Sequence, residues 1–419
     1  MKVVLVSTYD VKGGAAIACN RLQQALIGNG IDAKMLVQYK SSEQDKVVSV
    51  DVNRLNRFTS FLKFAWERFV FKMQVGKKED LFKFSLANVG KSISNHPLIK
   101  EADIIHLHWT QQGFLSIREL ENLQKLNKPI VWTLHDMWAF TGGCHYSEGC
   151  KHFEQSCGNC HLLKNSSETD LSRKIWNKKK KAYSNIEFVT CSQWLRDVAK
   201  SSGLLSSFNV TAIANPIDTN VFSSENVDGL LSDIDSNKKL ILFGAMNLKD
   251  ERKGYTYFID CLKKLKKNYP ELSENIELIT FGKADASKDK ELPFKINYCG
   301  FLSDPKAIAA VYSKASVFIL PSLEDNLPNT VMESLACNTP VVAFNTGGIP
   351  EMVQHKKIGY IAKYKSADDL TEGMKWVLED ESRFKQLSEN AREYVKENYS
   401  FNSIATHHIQ LYNKLKEEN

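Results

Sequence analysis

No stretch of the 419 residues approaches the roughly 18 consecutive apolar positions that a membrane-spanning helix needs. The opening run, Met1 to Asp10, lacks the longer apolar region and the small-residue cleavage site of a secretory leader, so it reads as a first core strand. The chain also lacks a strong excess of one charge. A net charge of +6 fits weak attraction to phosphate-bearing ligands or an anionic surface, and it does not point to nucleic acid. Internal repeats and low-complexity tracts are absent. There are nine cysteines, an odd number, and Cys191, Cys261, Cys299 and Cys337 fall inside predicted core elements. A reducing cytoplasm is the simpler setting for them than an oxidising compartment.

What is present is an α/β rhythm. The length suggests two domains. Runs rich in Val, Ile and Leu, such as Val3–Ser7, Asp103–His108, Ile130–Leu134, Lys239–Phe243 and Val317–Leu320, alternate with helical stretches. Continuous apolar runs of this kind suit parallel strands buried on both faces, and the alternation implies doubly wound sheets. Phe258, Cys261, Leu262 and Leu265 keep helical spacing, as do Ala18, Leu22 and Ala25, which Gly28-Asn29-Gly30 brings to a stop. The polar segment Ser223–Asn237 precedes a fresh strand, placing the domains at about 1–215 and 216–397. Arg54–Phe84 departs from the rhythm, with aromatic residues set among Arg and Lys. It reads as a helical hairpin packed on the first domain, with a membrane-facing surface as the alternative. The lysine run ending at Lys181 reads as a solvated face.

Several turns carry residues suited to a phosphorylated sugar. Gly13 and Gly14 follow the first strand and open a helix, where backbone amides and the helix end favour phosphate, although a plain tight turn would use the same residues. Arg252 and Lys253 precede Gly254 at the start of another helix, and two cations there suit a diphosphate leaving group. The strand Val317–Leu320 runs into Pro321–Glu333, which contains Glu324, Asp325, Asn326 and Glu333. Open α/β sheets bind ligands at such strand ends, and carboxylates accept paired hydrogen bonds from vicinal hydroxyls. No Asp-x-Asp stands at a strand end to hold a divalent cation. Cys144, Cys150, Cys157 and Cys160 have the spacing C-x5-C-x6-C-x2-C, which suits a structural zinc, with disulfides or unlinked thiols as alternatives.

The ordered set of Lys12-Gly-Gly, Asp103–Trp109, Thr133-Leu-His-Asp136, Ala214-Asn-Pro-Ile-Asp218, Arg252-Lys-Gly254, Pro321–Glu333 and Val341–Glu351 resembles the family-4 glycosyltransferases, retaining enzymes of the GT-B fold. The resemblance spans nearly the whole chain. It implies two Rossmann-like domains with a cleft between them and a C-terminal helix, about 398–419, returning to the first. The first domain would bind the acceptor and the second the nucleotide-sugar donor. The resemblance further implies Glu333 on the donor ribose, Lys253 on the diphosphate, His135 facing the donor sugar and Gly14 near the diphosphate or acceptor. Asp325 stands in the slot of the family's first glutamate, with Glu324 and Asn326 beside it. The family's arginine after the strand glycine is replaced by Ala245 or Met246, and Arg252 is the candidate to compensate.

The activity the resemblance implies is metal-independent transfer from a UDP- or GDP-sugar to an acceptor, a lipid-linked saccharide in polysaccharide assembly. No cofactor is expected for catalysis. The setting would be cytoplasmic, with peripheral membrane association as a possible addition. A nucleotide-sugar epimerase of similar fold and a non-catalytic nucleotide-sugar-binding protein are the competing classes.

Overall fold

The computed structural model describes residues 1–224, 234–235, 237–247, 250–283 and 292–418, with side chains at 245–247 and 283 outside that description. The expected departure at Ala245 or Met246 therefore lies outside the described side chains. The chain divides into two compact units, Met1–Pro216 with Ile404–Asn419, and Ile217–Ser403.

The first unit is built on a seven-stranded parallel sheet in the order β3-β2-β1-β4-β5-β6-β7. Its strands are Lys2–Tyr9 (β1), Asp32–Tyr39 (β2), Val47–Ser49 (β3), Ile104–Leu107 (β4), Ile130–Leu134 (β5), Glu187–Thr190 (β6) and Val210–Ala212 (β7). Val3 to Val6 are almost wholly buried, as a central strand covered on both faces must be. The order turns back between β1 and β4. The loops after those strands therefore open at the switch point where such sheets form a crevice. Helix α1, Gly14–Gly28, begins at Gly13, whose φ of +93° is open to glycine and strained for other residues. It ends where Asn29 and Gly30 return amide hydrogens to the last carbonyls. A core of aromatic and aliphatic side chains, with Trp132 packed between Trp138 and Phe188, fills the space behind β5 and β6.

Arg54–Phe84 is not a hairpin. It forms one 19-residue helix, α2 (Arg54–Lys72), followed by a short 3-10 turn, Lys78–Phe82. Polar side chains on α2, Ser60, Glu67 and Arg68, are buried, while several of its aromatic residues are exposed. The lysine run also differs from expectation. Lys179 is completely buried, donating to the carbonyls of Trp138 and Thr141 with its ammonium 3.5 Å from the Trp138 ring centroid.

The second unit has a six-stranded parallel sheet, β10-β9-β8-β11-β12-β13. Its strands are Lys239–Asn247 (β8), Ile276–Lys283 (β9), Ile296–Tyr298 (β10), Val317–Leu320 (β11), Val341–Phe344 (β12) and Gly359–Ala362 (β13). Phe258 stacks on Phe243 at 4.3 Å between ring centroids, fixing the helix Tyr255–Asn268 over the sheet. Here the order turns back between β8 and β11, so the loops after β8 and β11 share a switch point. The C-terminal helix, Phe401–Glu418, belongs to the first unit from Ile404 onward and buries Ile404, Ala405, His408 and Tyr412 there.

Candidate functional site

In the second unit three loops at the carboxyl ends of β8, β11 and β12 are stitched together. The Leu323 amide donates to the Arg252 carbonyl at 2.7 Å, the Thr346 hydroxyl to the Leu323 carbonyl at 3.0 Å, and the Gly348 amide to the Asp325 carbonyl at 3.2 Å. Two glycines make the approach possible. At Gly254, φ +69°, an added Cβ would lie 1.9 Å from the Pro321 carbonyl oxygen. At Gly347, φ +57°, it would lie 1.8 Å from that of Asp325.

Into this corner the sequence places its charges. Glu251–Lys253 is a 3-10 turn capped by the Asp250 carboxylate, and Gly254 then starts the helix Tyr255–Asn268. Lys253 Nζ lies 2.6 Å from Asp325 Oδ2, while Arg252 Nη1 lies 3.9 Å from the same oxygen and donates to the Glu324 carbonyl at 2.9 Å. Burial alone would raise the Asp325 carboxyl, yet Lys253 and Arg252 hold it below the ordinary carboxylate range. Asp325 and Asn326 are buried and Glu324 is half-buried. Glu333 is buried in the body of the helix Asn329–Ala336, beyond the first turn, so complementing the helix dipole does not account for it. Expected site residues Arg252, Lys253, Glu324 and Asp325 are thus brought together directly, with Asn326 in the same loop and Glu333 on the helix that follows. The ion pair bridging residues 72 positions apart could not be read from spacing.

In the first unit, Gly13 and Gly14 sit at the start of α1, beyond β1. The neighbouring Asp10, which sequence reasoning passed over, is buried and accepts the amides of Val11, Ser41 and Ser42, fixing this turn against the loop after β2. His135 follows β5. Its Nε2 lies 2.9 Å from His108 Nδ1, its Nδ1 lies 3.5 Å from Cys191 Sγ, and that thiol donates to Asn215 Oδ1 at 3.2 Å. Burial pushes His135 down to about 4, so the ring is a neutral hydrogen-bonding group near neutral pH. His108 thereby orients His135. His106 is a core residue, bonded to Tyr412 and Thr133. Asp136 accepts from Trp109 Nε1 at 2.9 Å and pairs with His145 Nδ1 at 2.7 Å. His145 Nε2 in turn meets the Ser85 hydroxyl at 2.9 Å, so this ring ties the cysteine-rich segment both to the loop after β5, through Asp136, and to the segment after the 3-10 turn, through Ser85.

Cys144, Cys150, Cys157 and Cys160, with His152 and His161, line one cavity of about 20 Å³. All four are free thiols, and burial pushes Cys157 up to about 11 and Cys160 up to about 12. Among the described residues no group of three or more His, Cys, Asp or Glu is arranged to hold a metal ion. The cluster therefore has the composition and room for an ion without a formed ligand set.

Residues 232–394 match the family described as glycosyl transferases group 1. Over 98% of this chain and 98% of its own length, an uncharacterised glycosyltransferase of Methanocaldococcus jannaschii is 24% identical. A putative colanic acid biosynthesis glycosyl transferase of Escherichia coli is 22% identical over 84% of this chain and 85% of its own. The structure of Anabaena HepE in complex with UDP superposes with a TM-score of 0.65 at 15% identity, covering 99% of this chain and 100% of that one. Two parallel-sheet α/β units and the likeness to HepE along almost the whole chain show the GT-B fold, and the matched relatives are named as glycosyltransferases.

Proposed function

We propose that the chain is a retaining glycosyltransferase. It would transfer a sugar from a UDP- or GDP-linked donor to a lipid-linked saccharide in polysaccharide assembly, without a divalent metal in the reaction. The observation that carries this reading is the Lys253–Asp325–Arg252 cluster on loops stitched together at the switch point of the second sheet. As the sugar–phosphate bond breaks, negative charge grows on the diphosphate. Lys253 has three N–H donors and spends one on Asp325, leaving others to meet phosphate oxygens. Arg252 and the start of the helix Tyr255–Asn268 add positive potential at the same place.

In this reading Glu333 accepts the ribose hydroxyls. Asp325 holds the two cations in position and, with Glu324 and Asn326, faces the donor sugar. His135, neutral and oriented by His108, offers a hydrogen bond to a sugar hydroxyl. Gly13 and Gly14 let backbone amides approach the diphosphate or acceptor. UDP in the HepE complex and colanic acid biosynthesis in the E. coli relative's name are consistent with a nucleotide donor and a polysaccharide product.

The test is to incubate the chain with UDP- and GDP-sugars and lipid extracts in EDTA, then read the anomeric configuration of the product by NMR. An α-linked product from an α-donor is expected. An inverted product would refute retention, and strict dependence on added Mg²⁺ or Mn²⁺ would refute metal independence.

We also propose one structural zinc on Cys144, Cys150, Cys157 and Cys160. The shared cavity supports it, and binding would have to draw the sulfurs into a tetrahedron.

A further inference from the structure

Helix α2 is amphipathic in the wrong sense for a water-facing helix. Its inner face sets the polar Ser60, Glu67 and Arg68 beside the core residue Phe71 and is clamped to the unit. The Glu67 carboxylate accepts from Arg68 and from the amides of Leu86 and Ala87, Arg68 donates to the carbonyls of Leu81 and Phe84, and Lys63 donates to that of Gly90. Its outer face is apolar. Leu55, Phe58, Leu62, Trp66, Phe69 and Met73 recur at intervals of three and four and are 48–69% exposed. They form a single stripe along a helix about 28 Å long. Lone exposed apolar residues need no explanation, but a contiguous stripe does.

Charge identifies what covers it. Between residues 51 and 84 the exposed charged side chains are Arg54, Arg57, Lys72, Lys77 and Lys78 against Glu79 alone. Asp51, Glu67 and Asp80 are buried and face cations: Asp51 meets Lys91, Glu67 meets Arg68 and Asp80 meets Lys83. An aromatic-rich stripe with flanking cations fits an anionic bilayer, where the rings enter the acyl boundary and Arg and Lys remain among the headgroups.

We propose that α2 seats the first unit on an anionic lipid bilayer through this stripe, holding the enzyme at the surface where a lipid-linked acceptor resides. The acceptor's nature rests on the proposed function. Membrane seating does not, because it is read without any substrate.

The experiment is flotation of the full chain with vesicles of phosphatidylcholine alone and of equal parts phosphatidylcholine and phosphatidylglycerol. The full chain should float with the anionic vesicles and much less with neutral ones. The double substitution Trp66→Ser, Phe69→Ser should weaken binding by about tenfold or more, and Arg54→Gln, Arg57→Gln should weaken it in a salt-dependent way. Both pairs are exposed, so circular dichroism and melting should match the wild type, and nucleotide release from a donor sugar in solution should be unchanged. Failure of the wild type to float, or equal flotation of the Trp66/Phe69 variant, would overturn the proposal. So would a concentration-dependent dimer lost in that variant, which would assign the stripe to a second copy of the chain. Flotation without any transferase activity would leave the seating intact and count against the proposed function instead.

Discussion

Replacing Lys253 separates its structural role from its role in the reaction. Its ammonium lies 2.6 Å from an Asp325 carboxylate whose side chain is only 10% exposed, with Arg252 at 3.9 Å as the remaining cation. In Lys253→Met the carboxylate loses its main partner. Removing one member of a fully buried pair costs about 3–5 kcal/mol, but Lys253 is 21% exposed and solvent screens the loss, so about 2 kcal/mol is expected for the second unit. Under the proposed function activity should fall further, because there the lost charge also meets the departing diphosphate. Loss of one such electrophilic donor costs about 100- to 1,000-fold in kcat. Adding Asp325→Asn removes the stranded charge. The double variant should therefore regain stability to within about 1 kcal/mol of the wild type while remaining inactive. Urea unfolding and nucleotide release on the four proteins of this cycle give both readouts. The reasoning fails if Lys253→Met keeps activity within about threefold of the wild type, or if the double variant recovers activity together with stability.

Glu333→Ala is expected to lower kcat/KM by about 100-fold, the equivalent of about 3 kcal/mol in charge-assisted hydrogen bonds to the ribose; a well-folded variant losing less than about threefold would remove Glu333 from the donor site. Brief EDTA treatment should leave activity intact, whereas metal analysis of the purified chain should find one zinc, released when thiols are modified; a metal-free chain with all nine thiols titratable would refute the zinc. Acid should weaken the first unit. Burial pushes His408 down to about 3 and His135 to about 4, so their stabilising contribution is complete above the unfolded value of about 6.5 and is lost as pH falls toward the folded values. Between pH 6.5 and 5 each should cost about 1.5 kcal/mol, seen as a falling urea midpoint with a shallower slope in His408→Gln; an unchanged midpoint would contradict this.

Much of the architecture was legible because parallel strands buried on both faces leave continuous apolar runs, as in Val3–Val6 and Val317–Leu320. Strands lacking that signal were missed. β2 mixes Asp32, Lys34 and Gln38 into its run, and β13 is four residues long and begins at a glycine. Helix α2 misled in the opposite way, because its apolar stripe suggested packing while the structure turns polar Glu67 and Arg68 inward.

At the site, the turn chemistry of Gly13 and Gly254 and the charges of Arg252, Lys253, Asp325 and Glu333 were visible as residue types at strand ends. Their pairing was not. The Lys253–Asp325 contact and the His108–His135 bond join distant segments, so only the folded sheet order brings them together. Lys179 lies in a run that reads as solvated. The carbonyls and indole that bury it come from residues some forty positions earlier.

The most direct test of the central claim is a mass-spectrometric screen of the purified chain against UDP- and GDP-sugars in EDTA, with acceptor-containing membrane extract present and Glu333→Ala as control. Transfer chemistry predicts free nucleoside diphosphate and a glycosylated lipid from the wild type alone. No diphosphate from any donor, or release undiminished in Glu333→Ala, would contradict the account.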